Sequence, residues 1–139
     1  MADQIESILR VFPSQGVPIY RQVMDQVRLL VLSGRVSAGD LLPSVRSVAA
    51  ALAVNPMTVS KAYSLLEAEG LVERVRGLGM RVCEQSAESL PGARMAEMSP
   101  LLHQVASRAH QLALSRDQVL GALAPLLSTL TSDQTKQAR

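Results

Sequence analysis

The side chains best suited to chemistry in this 139-residue chain gather in "NPMTVSKAYSLLEAEGL", Asn55 to Leu71. Val59, Ala62, Tyr63 and Leu66 fill one side of a helical period there. Met57, Thr58, Ser60, Lys61 and Ser64 are expected on the other. That outer face holds short hydroxyls and an ammonium but no nucleophile paired with a base, so its chemistry is recognition. Thr58 and Ser60 are short enough for the backbone to approach a base edge or a phosphate, and Lys61 can reach either. Arg46 follows "LPS" at the start of the preceding segment. A cation is slightly unfavourable at a helix start, so phosphate or base contact gives its placement a reason. Arg74, Arg76 and Arg81 surround "RGLG", whose Gly77 and Gly79 allow a tight basic tip suited to a phosphate backbone or a narrow minor groove. Each feature also has an ordinary alternative: an amphipathic surface helix, an Arg46–Asp40 ion pair, a common surface hairpin.

Other chemistries find less. His103 and His110 lie two helical turns apart with Glu97 or Asp117 nearby in sequence, but nothing supplies a clear third metal ligand. Cys83, the single cysteine, ends an apolar run and is expected to be a quiet packed residue. Nucleophile elbow, phosphate-binding loop and paired carboxylates are absent. The expectation is therefore a protein that is not an enzyme and uses no metal or cofactor. Hydrophobic residues make up 47% and aromatics 2%, so the core must be built from Leu, Val, Ala and Met, which favours helix packing. From Val17 to Val82 eight Lys or Arg face five Asp or Glu, and from Cys83 onward five face five. That weak, localised basic bias permits a polyanion partner without requiring one. No signal-like N-terminus and no long apolar stretch is evident, which reads as a soluble, cytoplasmic protein.

The elements that must position these residues follow from period and punctuation. "SILRVFPSQG" is a brief helix or an edge strand. Ile19, Val23, Val27, Leu30 and Val31 predict a helix over about 18–33, after Pro18. "GRVSAGDLLP" is a connection. Ser44 caps a short helix ending near Ala53, and Asn55 with Pro56 starts a third that Gly70 stops. So short a link forces a steep crossing, as in a helix-turn-helix. Leu71–Val75 and Met80–Cys83 then form a hairpin. Helix, helix, helix, hairpin is the order of a winged helix-turn-helix domain.

Residues 84–99 read as a linker or the start of a helix. Residues 100–130 read as a helical dimerisation region, in which Leu101, Leu102, Val105, Ala109 and Leu112 make one helical stripe. Ser115 and Gln118 form a capping box, and Val119, Leu123 and Leu127 lie on a second stripe. A polar tail occupies 131–139. Two short helices with such stripes exceed what they can bury against each other, which points to a second subunit or to packing back onto the first helix. The expected architecture is mainly α with a small β-hairpin. A winged helix-turn-helix domain spans 1–83 (core 17–83), followed by a short two-helix dimerisation region.

From Pro18 to Val82 the sequence resembles the GntR family of bacterial transcription regulators. "GDLLPSVR", "NPMTVSKAY", "LEAEGLVE" and the glycine wing carry the match, and "PIYRQV" resembles the YtrA-type subfamily. The resemblance implies a dimeric repressor of its own operon, commonly one with ABC transporter genes, bound to two-fold symmetric double-stranded operator DNA. It also implies DNA contacts at Ser44, Arg46, Asn55, Thr58, Ser60, Lys61 and Gly77, with Arg76 beside them in the wing. Pro56 and Ser60 stand where the wider family commonly has arginines, so the operator bases of other members do not transfer. A small-molecule effector is compatible with this reading and has no sequence support. The alternative is a winged-helix protein–protein module that binds no specific DNA.

Overall fold

Apolar residues at helical spacing after Pro18 become the buried stripe of α2 (Ile19–Leu32) in the computed structural model, which describes residues 5–137. Val23, Val27, Leu30 and Val31 lie on that stripe. The Pro18 carbonyl accepts from the N–H groups of Arg21 (3.0 Å) and Gln22 (3.1 Å), closing the first turn without a side-chain cap. The N-terminal piece is α1 (Ile5–Ile8) and a 3₁₀ turn at Pro13–Gln15, with neither helix nor strand between Leu9 and Phe12, so the helix covers only the start of "SILRVFPSQG". Two glutamines of α2 hold it. Gln22 accepts from the Phe12 N–H (2.7 Å) and donates to the carbonyls of Phe12 (3.0 Å) and Val17 (2.9 Å). Gln26 accepts from the Arg10 N–H (2.9 Å) and donates to its carbonyl (2.6 Å). Gln22 is buried, and these bonds offset its desolvation.

Helices α3 (Val45–Leu52) and α4 (Pro56–Ala68) begin with side-chain caps. The Ser44 hydroxyl accepts from the Ser47 N–H at 3.1 Å, and Asn55 Oδ1 accepts from the Met57 N–H at 2.8 Å. Ala53 ends α3 at φ 54°, a left-handed conformation costly for a residue with a Cβ. Packing overrides that cost, because three residues must turn the chain between two buried helices. Both α2 and α3 pack on α4 through its buried face of Val59, Ala62, Tyr63 and Leu66. The surrounding core is aliphatic, with Ile5, Leu9, Val23, Val27, Val48 and Val72 fully enclosed.

Strands β1 (Val72–Val75) and β2 (Gly79–Val82) pair antiparallel, Val72 opposite Val82 and Val75 opposite Gly79. Their turn needs Gly77 at φ 80° and Gly79 at φ 119°. The segment before α3, expected as a plain connection, instead runs beside β2. Leu41 bridges Arg81, the Leu42 N–H donates to the Met80 carbonyl (2.8 Å), and the Val82 N–H donates to the Asp40 carbonyl (2.8 Å). Of the three aromatic residues only Tyr63 is buried, and its hydroxyl donates to the Pro43 carbonyl at 2.8 Å. Burial, with a smaller push from Glu6, raises its phenol above the ordinary tyrosine range, so the donor proton stays in place.

The chain divides into two compact units, residues 1–94 and 95–139. The first includes the opening turn of α5 (Leu90–Gln111). Leu90 and Ala93 pack on its core, and Arg94 Nε donates to the Leu32 carbonyl at 2.7 Å, satisfying one of the open carbonyls that end α2. The second unit holds the rest of α5 and α6 (Arg116–Gln137). Between them Ala113 turns at φ 55°. The Ser115 N–H donates to Gln118 Oε1 (2.8 Å), and the Gln118 N–H donates to the Ser115 hydroxyl (3.2 Å). The polar stretch from Thr131 is no separate tail in its described part, since α6 runs through it to Gln137. The hydroxyls of Ser128, Thr129, Thr131 and Ser132 each donate to the carbonyl four residues back, which lets polar residues continue a helix. Ala138 and Arg139 lie outside the described residues.

The Tyr63 bond yields a direct test. Tyr63→Phe keeps the ring and strands the Pro43 carbonyl, so stability should fall by about 1–2 kcal/mol. Tyr63→Ala also opens a cavity and should lose about 3 kcal/mol or more. Urea unfolding of both variants measures this; a Phe variant as stable as wild type would mean that the bond contributes nothing net.

Candidate nucleic-acid interface

A cavity of about 200 Å³ lies where three elements meet. Leu42, Pro43, Ser44 and Val45 line it from the entry to α3, Ser60 and Tyr63 from α4, and Arg74, Leu78, Gly79 and Met80 from the hairpin. The structure thus brings Ser44 and Ser60 to one cleft beside the wing. Both are exposed, though the Ser44 hydroxyl is engaged as a cap. Arg46 stands exposed in the first turn of α3. The ordinary alternative for it does not form: the Asp40 carboxylate accepts from the Ser37 N–H at 3.0 Å, and Arg46 makes no ion pair among the described residues.

On α4 the expected outer residues separate into kinds. Asn55 is exposed and commits its oxygen to the cap. Thr58 is half-buried rather than fully outward. Lys61 is exposed, but its ammonium sits over the Tyr20 ring of α2, 4.0 Å from the centroid. Such a contact is worth about 0.5–1 kcal/mol at an exposed site. It fixes where the charge is held. Nothing in the period of α4 pointed to Tyr20, because the pairing arises from packing between helices distant in sequence.

The wing carries less free charge than its three arginines suggest. Arg81 is bound to Glu73, with one bond at 2.9 Å from Nε, and Arg74 lies 3.9 Å from Glu67. Glu73 and Arg81 are directly opposed in the hairpin register. Arg76 remains exposed and without an ion pair among the described residues, next to Gly77 at the tip. Leu78 beside it is 66% exposed. Arg28 of α2 is likewise neutralised, by Glu69 (2.6 Å) and Asp25 (2.8 Å), and it pins α2 to the end of α4.

The second unit presents an apolar surface of its own. None of its described side chains is buried. Leu101, Leu102, Val105, Leu112 and Leu127 are exposed, while Ala109, Val119 and Leu123 are half-buried. Val105, Ala109, Leu112, Val119 and Leu123 line an open groove of about 660 Å³ between α5 and α6; Leu101, Leu102 and Leu127 stand outside it. His103 and His110 are exposed, and no group of three potential metal ligands occurs among the described residues. The Cys83 thiol is half-buried and pushed up by burial, with Glu73 adding and Arg81 opposing, which disfavours the reactive thiolate. No helix among the described residues is long and apolar enough to cross a membrane.

Three helices and a glycine wing, with α3 and α4 each begun by a side-chain cap and packed on one another, define a winged helix-turn-helix domain. Residues 19–82 match the model of the bacterial regulatory proteins, gntR family. The chain is 39% identical over 103 residues to the HTH-type transcriptional repressor YtrA of Bacillus subtilis, covering 74% of this chain and 79% of that one. Among solved structures it is similar to a GntR family transcriptional regulator from Listeria monocytogenes, with TM-score 0.71 and 27% identity, covering 81% of this chain and 97% of that one. YtrA from Sulfolobus acidocaldarius, a GntR-family transcription factor, gives TM-score 0.52 and 29% identity over 87% of this chain and 97% of that one. The chain belongs to the GntR family of bacterial transcription regulators and is YtrA-like within it.

Charge pairing separates the arginines by expected effect. Arg46→Ala should melt like wild type, since the side chain is exposed and unpaired. It should weaken DNA binding and lower the slope of log affinity against log salt by about one. Arg76→Ala should weaken binding more than Arg81→Ala, whose charge Glu73 already offsets. Titrations at several salt concentrations decide this, and equal losses at Arg76 and Arg81 would contradict it.

Proposed function

We propose that this regulator is a homodimeric, cytoplasmic repressor that binds a two-fold symmetric double-stranded operator and acts on its own operon. Helix α4 enters the major groove, with Thr58, Ser60 and Lys61 toward it and Asn55 at its lip. Ser44 and Arg46 hold phosphates or a base edge from the start of α3. Arg76 and Gly77 bring the wing to the flanking backbone. The observation that carries this reading is the single cleft where α3, α4 and the wing meet, with exposed and unpaired Arg46 at one element and Arg76 at another. The likeness to a repressor named YtrA supports the repressor role. The YtrA-type resemblance extends it to an operon with ABC transporter genes. No particular effector is assigned.

Dimerisation is supported by the second unit's lack of a core. An apolar two-helix unit with no buried side chain among those described gains stability by burying its leucines on a like surface. The stripe Leu101, Leu102, Val105, Ala109, Leu112, Val119, Leu123 and Leu127 is the proposed seam. One observation favours the rival, a protein–protein module: Glu73 and Glu67 offset two of the wing's three arginines.

Binding to the DNA upstream of the protein's own gene tests the regulator reading. Shortening the chain tests the seam, and the cut belongs after Arg94, because Leu90, Ala93 and Arg94 belong to the first unit. The 1–94 fragment should be folded and monomeric in analytical ultracentrifugation, with operator affinity lowered by about 10²-fold or more as the linked second half-site is lost. A dimeric fragment would move the seam into the first unit.

A further inference from the structure

Met57 is the most exposed large hydrophobic side chain among the described residues, at 78%. It sits in the first turn of α4, its own N–H held by Asn55 Oδ1. By helical period it lies opposite the buried Val59, Ala62, Tyr63 and Leu66. A lone exposed methionine is ordinary and carries no meaning by itself. Its neighbours give it one. Asn55 is engaged as a cap, Thr58 is half-buried, Ser60 borders the cleft beside the wing, and Lys61 is drawn over Tyr20. The outermost point of the early turns of α4 is therefore a thioether.

That chemistry limits what the side chain can recognise. Methionine has no donor and only a weak sulfur acceptor, so it cannot specify a base edge by hydrogen bonding. The major groove displays one apolar group, the C5 methyl of thymine. Against the cytosine amino group or the guanine acceptors, the same side chain would cover polar edges without pairing them. An unbranched, flexible thioether also adapts readily to a methyl surface. We propose that Met57 determines specificity by packing on a thymine methyl, one in each half of the operator. This deepens the reading of α4 as the major-groove helix and rests on it.

The test uses the full-length protein. Wild type first enriches its preferred duplex from a random pool. Thymines of that duplex are then replaced by deoxyuridine in symmetric pairs, which removes the methyl and keeps the pairing edge. Covering one methyl is worth about fourfold in affinity, so one symmetric replacement should weaken wild type by about fifteenfold. Met57→Ala should melt like wild type, because the residue is exposed, and should bind the thymine and uracil duplexes within twofold of each other. The proposal is overturned if no replacement weakens wild type more than twofold, or if Met57→Ala keeps the full penalty. Failure to enrich any duplex would overturn the DNA-binding reading as well, which separates the two failures.

Discussion

The hydrogen bond from Tyr63 to the Pro43 carbonyl ties the three working parts of the first unit together. Tyr63 belongs to the inner face of α4, and Pro43 immediately precedes the cap of α3. The residues just before Pro43 are bonded to β2 through Leu42 and Asp40. The start of α3, the inner face of α4 and the wing therefore share one short stretch of backbone. A shift in that stretch would move the Ser44 cap and the wing together. Aliphatic packing supplies most of the burial energy, but it is non-directional; the directed bond from the one buried aromatic residue sets the orientation.

Electrostatics on this surface is selective rather than strong. The whole chain carries a formal net charge of +2. Within the first unit Glu69, Glu73 and Glu67 are paired with Arg28, Arg81 and Arg74. Exposed pairs of this kind add little stability, but they remove cations from contention for phosphate. Arg46 and Arg76 stay unpaired among the described residues, and Lys61 is steered by an aromatic ring instead of an acid. A surface so arranged depends on a few placed charges more than on a broad field.

Much of this was legible in the sequence, because the signals were local. Ser44 and Asn55 announce caps through their own side chains, Pro18 and Pro56 sit where a helix begins, and the four-residue inner face of α4 follows from its period. The glycines of "RGLG" mark a turn that requires positive φ. What escaped depended on contacts between distant segments. The strand-like run of Asp40 to Leu42 is too short to show a period and is set by β2. The Lys61–Tyr20 contact joins positions 41 residues apart (61 − 20). Glu73 and Arg81 were visible individually, but their pairing needed the hairpin register. The helical continuation beyond Thr131 was hidden by composition, since hydroxyl-rich segments usually mark helix ends until their side chains bond back along the helix.

The two units pose different physical problems. The first closes its own core, whereas none of the described side chains of the second is fully buried. The proposed partner of its leucine-lined surface is a second copy, which would double the reading head on symmetric DNA. Guanine-N7 methylation protection on a duplex enriched by the full-length protein tests this most directly. The account requires two protected major-groove segments related by a two-fold axis, with centres about 34–36 Å apart or at a multiple of that spacing. A single protected segment, or none in the major groove, would contradict it.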